Sequence, residues 1–377
     1  DRVTAKVDEP GGRRERKRTA WRPSVEKLLL TRTDSLIGAN AAVGLANRFE
    51  VVGVGCESES LGIAAVDGAS PAEIVADVRP RLVVHAGPIA ASAWDAGGVG
   101  ACKLLNRASL RRDADEAEPL AEACRAAGAK LIVVSTDAVF DGPRMFHGEQ
   151  APHCPRSAYG RAAAEVEARW SAAGALVLRS HVYGWSPTSY GANYAERMFQ
   201  ELIGEQPCPV DAVRHATPIL ASDFVEFLYE AYRADLRGTY HVAGAERTSP
   251  YRFAAELAAA LGVPGRYVNL TSKSAASRRP YIDETSLHTL AFRRAVEKPL
   301  PMLRDGLARQ PCGTPGAGWA VLAAGILLAG HHLAANYKWS PRVMPATLYD
   351  HVFPHREPAY EEVGQWLGAR GGDDRDI

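Results

Sequence analysis

Between Val25 and about Asp223 the chain alternates short β-branched runs with alanine-rich stretches of helical periodicity. That alternation limits the possible folds more than any other feature. The runs are Lys27–Thr31, Glu50–Val54, Arg81–His85, Lys130–Ser135 and Ala175–Arg179, with amphipathic windows such as Asp113–Ala127 and Tyr159–Ala173 between them. Strands that are apolar along nearly their whole length have no wet face, so they belong in a parallel sheet covered by helices on both sides. The order predicts an α/β fold, and its first half fits a doubly wound, Rossmann-type nucleotide-binding sheet.

After Asp223 the pattern turns helical with short strands: Phe224–Arg233, a Gly238–Val242 strand, then Pro250–Leu261. A smaller substrate-covering lobe is expected there. The expected organisation is a basic arm at 1–24 and a Rossmann-type domain at 25–308, whose substrate lobe is mostly 180–308. A Pro- and Gly-broken linker at 309–317 follows, then an apolar segment at 318–337 and an extended tail at 338–377.

A chain of 377 residues can bury a large core. Its 44 basic residues balance 44 acidic ones, so no overall field points to nucleic acid as a partner. The six cysteines show neither CxxC nor metal-type spacing, so reduced thiols and no metal site are expected. Residues 1–22 carry eight Lys/Arg against four Asp/Glu and begin at Asp1. Removal of a targeting peptide would leave such an end, as would a truncation.

The first strand leads into Thr31-Arg32-Thr33-Asp34-Ser35-Leu36-Ile37-Gly38, placed where a dinucleotide-binding turn would lie. A GxxGxxG turn would put glycine at 32, 35 and 38; here only Gly38 remains, beside Arg32 and Ser35. The candidate cofactor-binding residues are Thr31, Arg32, Ser35, Leu36, Ile37 and Gly38, with Ala86 of His85-Ala86-Gly87. Two readings stay open: Arg32 pairs with a phosphate, or the turn is a remnant without a ligand.

Farther on, Ser135-Thr136-Asp137-Ala138-Val139-Phe140-Asp141-Gly142 follows a strand, and Tyr159-Gly160 comes after it. With Arg179-Ser180-His181-Val182-Tyr183-Gly184, Gly238–Gly244, Ser249–Phe253, Arg279-Pro280 and Asp283–Leu290, the chain resembles the dTDP-4-dehydrorhamnose reductase family of extended short-chain dehydrogenases over roughly residues 25–308. That family also includes the regulatory β-subunit of methionine adenosyltransferase, so the fold is reused outside reduction. The resemblance implies Thr136 as the hydroxyl that binds a substrate carbonyl and Tyr159 as the proton donor. It also implies a lysine four residues after the tyrosine, and an asparagine-like residue at position 85. This chain has Ala163 and His85 there. A free tyrosine titrates near 10 and needs a nearby cation to ionise at neutral pH. Arg161 is only two residues along the helix and points away from Tyr159.

The segment Ala317–Gly330 is apolar, His331-His332-Leu333 follows, and nothing charged lies between Arg309 and Lys338. A helix over 318–337 would be long enough to span a bilayer, with Trp319 at one end and Tyr337, Lys338 and Trp339 at the other as interfacial anchors. The competing reading is a helix buried against the domain.

Together, Ala163, Arg32, Ser35 and the apolar segment lead to the expectation of a catalytically inactive accessory subunit of an organellar membrane complex. By analogy it would be of the mitochondrial complex I type, on the matrix side of the inner membrane. Its partners would be the other subunits and a lipid bilayer met through 318–337, and it would hold either no cofactor or a structural NADP. A chloroplast membrane or the cytoplasm are the alternative locations. The alternative function is an NADP-dependent reductase of a nucleotide-linked 4-keto sugar, with Thr136 and Tyr159 in their family roles.

Overall fold

The computed structural model of the chain describes residues 25–54, 61, 63–65, 70–96, 107–185, 193–271 and 284–309. The basic arm and the apolar segment at 318–337 with its tail lie outside them. Among the described residues no helix is long and apolar enough to cross a membrane.

The main sheet takes its strands from all along the chain: β1 Lys27–Leu30, β2 Glu50–Gly53, β3 Ala64–Ala65, β4 Leu82–His85, β5 Lys130–Thr136 and β6 Leu176–Ser180. Two short strands, β7 Val182–Tyr183 and β9 Ile219–Leu220, pair with each other. Cys208–Val210 (β8) pairs with Val268–Leu270 (β11), and Thr239–His241 (β10) closes the main sheet beside β6. The order is β10-β6-β5-β4-β1-β2-β3, parallel throughout. Every run expected from sequence forms a strand, ending within a residue of its expected limits. The strand order reverses between β1 and β4, so a crevice opens past their carboxyl ends, where ligands bind in such sheets.

The helices are α1 Leu36–Leu45, α2 Pro71–Val78, α3 Ala93–Ala96, α4 Arg107–Ala127, α5 Ala158–Ala172, α6 Tyr194–Ile203, α7 Ala221–Arg233, α8 Pro250–Leu261, α9 Leu290–Val296 and α10 Leu303–Ala308. Alternate strand residues face opposite layers. Leu28, Leu30, Val84, Ile132 and Leu178 pack with α1 and α7 through Ile37, Leu45, Phe224 and Leu228. Leu29, Val83, Val133 and Val177 pack with α2, α4 and α5 through Ile74, Leu120, Val166 and Trp170. Both faces of the central strands are therefore dry, which is why those strands read as continuous apolar runs.

A separate apolar cluster holds the smaller lobe together. Met198, Phe199 and Leu202 of α6 meet Phe253 and Leu257 of α8, with Val210, Val268, Leu303 and Leu307 around them. The sequence pattern did not reveal the β8–β11 pair, because three-residue strands carry too few alternations to register.

Candidate active site

The turn after β1 is closed by its own side chains. The Arg32 guanidinium forks onto the Asp34 carboxylate with two hydrogen bonds of 2.9 Å each. Ser35 caps α1, accepting from the Gly38 amide at 3.0 Å and donating to the Arg32 carbonyl at 3.0 Å. A Cβ on residue 38 would sit 1.8 Å from that same carbonyl oxygen, so only glycine lets α1 approach the turn this closely. Of the other residues assigned to the cofactor, Thr31 donates to or accepts from His85 Nδ1 at 2.6 Å, and Ala86 is buried at the end of β4. Ile37 is a core residue, and the half-buried Leu36 packs against the same cluster.

The geometry of this turn suits a dinucleotide pyrophosphate. The amides of Leu36 and Ile37 open α1 at the switch point and meet no acceptor among the described residues. Gly38 keeps the close packing that brings them there. The one carboxylate of the turn, Asp34, is matched by Arg32.

The two candidate catalytic residues meet one crevice position from different elements. Thr136, the last residue of β5, is fully buried; it caps the one-turn helix Asp137–Val139 by accepting from the Ala138 amide at 3.0 Å. Its hydroxyl donates to the Ala91 carbonyl at 2.6 Å. Tyr159 stands in the first turn of α5, which Ser157 caps through the Gly160 amide at 2.8 Å. The Tyr159 phenol donates to the same Ala91 carbonyl at 3.1 Å and to the Pro88 carbonyl at 3.0 Å. Gly160 makes this possible: a Cβ there would lie 2.2 Å from the Ala138 carbonyl, so glycine lets α5 dock on the turn that carries Thr136.

Ala163 lies one helical turn past Tyr159, fully buried in the apolar layer under α5. Arg161 turns away and donates to the Arg156 carbonyl at 2.6 Å. Burial pushes the Tyr159 phenol well above the ordinary tyrosine range, and the Asp137 and Asp113 carboxylates add to this, while the Thr136 hydroxyl pulls the other way.

Three buried polar networks around these residues escaped sequence reasoning. Asp137 accepts from the Ala93 amide at 2.9 Å and from the Thr285 hydroxyl, and it lies 2.7 Å from His181 Nδ1. At the end of β4, His85 Nε2 is 2.9 Å from Asp113 Oδ1, which also accepts from Trp170 Nε1 at 2.9 Å. This triad fills the asparagine-like position. Beneath the site, Arg179 forks onto Glu167 at 2.7–3.1 Å, with His153 Nε2 at 2.8 Å and His241 Nε2 at 3.1 Å. Burial alone would raise the Glu167 carboxyl, but hydrogen bonds from His153, Arg179 and Ser135 and the Arg179 charge bring it down to about 2. The one visible signal was Glu167 itself, a carboxylate one turn past Ala163 on the apolar side of α5.

A parallel, doubly wound sheet with a threonine at the end of β5 and a tyrosine on the next helix, both aimed at one point, defines a short-chain-dehydrogenase-type Rossmann protein. Residues 27–310 match the family described as RmlD substrate binding domain, and the chain belongs to it. It is 30% identical over 226 residues to a dTDP-4-dehydrorhamnose reductase of Streptomyces griseus, covering 56% of this chain and 69% of that one. It is 26% identical over 300 residues to the Burkholderia thailandensis protein of the same name, covering 72% and 94%. The fold matches a crystal structure of the Bacillus anthracis dTDP-4-dehydrorhamnose reductase in complex with NADP, with a TM-score of 0.61 and 22% identity, covering 75% of this chain and 96% of that one.

These relatives overturn two expectations. The accessory-subunit reading gives way to the reductase reading, since the similarity runs through bacterial reductases along most of their length. The mitochondrial inner-membrane location falls with it. The physical reason is that, with Arg32, Ser35 and Ala163 in place, the Thr136 and Tyr159 hydroxyls still converge on the Ala91 carbonyl. The apolar segment that suggested a membrane lies outside the described residues.

Proposed function

We propose that the chain is an NADP-dependent reductase of a nucleotide-linked 4-keto sugar. The observation that carries this reading is the meeting of the Thr136 and Tyr159 hydroxyls on one acceptor, the Ala91 carbonyl. Two O–H donors that converge on one carbonyl oxygen within the chain have the arrangement needed to hold a substrate carbonyl oxygen.

The turn from Thr31 to Gly38 and Ala86 would hold the dinucleotide, which supplies hydride when bound. Thr136 would orient the substrate carbonyl, and Tyr159 would give its proton to that oxygen as charge develops there. The smaller lobe, in which α6 and α8 pack on each other, would cover the sugar and limit water. Purified protein with NADPH and a dTDP-4-keto-6-deoxyhexose should oxidise the cofactor. Tyr159→Phe should lower kcat by about a hundredfold or more, the usual scale of a lost general acid. No cofactor oxidation across dTDP- and UDP-linked keto sugars would overturn the proposal.

A further inference from the structure

We propose that Tyr159 is a one-way proton donor in this chain, held as the neutral phenol throughout the neutral range by two backbone carbonyls and by an apolar neighbour where the family places a cation. The inference concerns the same site and rests on the reductase reading only for its kinetic consequence.

The case is built from what faces the phenol on each side. From the segment before α3 come the carbonyls of Pro88 and Ala91, both accepting its proton. The two carbonyls stabilise the O–H form, while a backbone hydrogen bond from Ala91 and the Thr136 hydroxyl act the other way and are outweighed by burial and the carboxylates of Asp137 and Asp113. From the end of β5 come the Thr136 hydroxyl and the Asp137 carboxylate, and from α4 the Asp113 carboxylate. His181 stands behind Asp137 and His85 behind Asp113, each at hydrogen-bond distance from its own carboxylate. On α5, Ala163 fills the next turn, and Arg161 is tied to the Arg156 carbonyl. Arg179, the buried cation of β6, is committed to Glu167. Both formal charges that act on Tyr159 from these elements as carboxylates oppose its ionisation, and burial works in the same direction.

The chemistry follows. In reduction, a nicotinamide, when bound in its reduced form, would supply hydride to the carbonyl carbon, and the C=O π pair would move onto oxygen. That oxygen takes the Tyr159 proton, giving the alcohol, and the phenolate left behind recovers a proton from solvent. This direction needs only the phenol, which is fully populated. Oxidation needs the phenolate as base, and its population falls tenfold for each pH unit below the phenol pKa. Reductive kcat/KM is therefore flat with pH, while oxidative kcat/KM climbs tenfold per unit. A lysine at 163 would bend the reductive profile downward at alkaline pH.

The test is a titration of the chain without cofactor, with tyrosine labelled by 13C at Cζ and followed by NMR; Tyr159→Phe identifies the resonance. The Tyr159 signal should stay at its phenol position to at least about pH 10, the ordinary tyrosine midpoint. A midpoint at or below about pH 9 overturns the proposal. Ala163→Lys should lower the midpoint by at least about one unit, since an opposite charge within reach favours the ionised form; an unchanged midpoint in a folded variant also overturns it. If that variant does not fold, the wild-type titration decides. Where turnover is measurable, a reductive kcat/KM that declines below about pH 9 counts against the proposal. Complete absence of turnover refutes the reductase reading, and the NMR result still judges Tyr159.

Discussion

Acidification should unfold this protein early, and His241 sets the size of the effect. The side chain is fully buried on β10, and its Nε2 faces the Arg179 guanidinium at 3.1 Å. Burial and the neighbouring Arg179 charge push its pKa down to about 3. In the unfolded chain a histidine titrates near 6.5. Its folded pKa is thus depressed, and the neutral imidazole is the native form. Below about pH 6.5 the unfolded chain gains a proton that the folded chain refuses, so stability is lost progressively from there toward about pH 3. Each pH unit costs about 1.4 kcal/mol, and the step from pH 6.5 to 5 costs about 2 kcal/mol from this one residue. His147, also lowered by burial, adds in the same direction. Glu167 contributes little in this window, because its carboxyl is half protonated in the unfolded chain only at its ordinary value of 4.5. The assay is urea denaturation at a series of pH values for wild type and His241→Gln. Glutamine keeps an acceptor for Arg179 and removes the titration. The variant should lose about 2 kcal/mol less than wild type between pH 6.5 and 5, whatever its stability at pH 7. Parallel stability–pH curves for the two proteins would refute the argument.

Other outcomes follow from the same geometry. Glu167→Ala should destabilise the fold by about 3–5 kcal/mol, because it leaves the Arg179 charge buried without its partner; urea midpoints measure it. Gly38→Ala forces a Cβ onto the Arg32 carbonyl and should cost about 1–3 kcal/mol while weakening NADPH binding, checked by denaturation and by calorimetric titration with the cofactor. Ser35→Ala removes the cap of α1 and should cost about 1 kcal/mol in thermal unfolding, with a smaller loss of cofactor affinity than Gly38→Ala.

Much of the fold was open to reading because both faces of the central strands are dry. Leu28, Leu29 and Leu30 point alternately to the two helical layers, and that demands an unbroken apolar run which sequence displays directly. The same holds for Gly38 and Gly160, whose places in the motifs match close backbone approaches of 1.8 and 2.2 Å to a would-be Cβ. The candidate site was legible at Thr136 and Tyr159, and less so in its surroundings. Sequence places Leu36 and Ile37 in the cofactor turn; the fold packs the Ile37 side chain in the core and leaves Leu36 half-buried against it, so what they present at the start of α1 is their amides.

What the sequence determined by itself was local and periodic: where strands and helices lie, which face is apolar, and which motif residues mark the ancestry. The tertiary structure alone decided who meets whom. Thr136 and Tyr159 share the Ala91 carbonyl, Arg32 closes on Asp34, and Arg179 collects Glu167, His153 and His241. Ala163 reads in sequence as a missing cation, and in the fold it is a fully buried residue of the apolar layer under α5. Such pairings join residues far apart in the chain, and their energies depend on burial and distance. No local pattern carries either quantity.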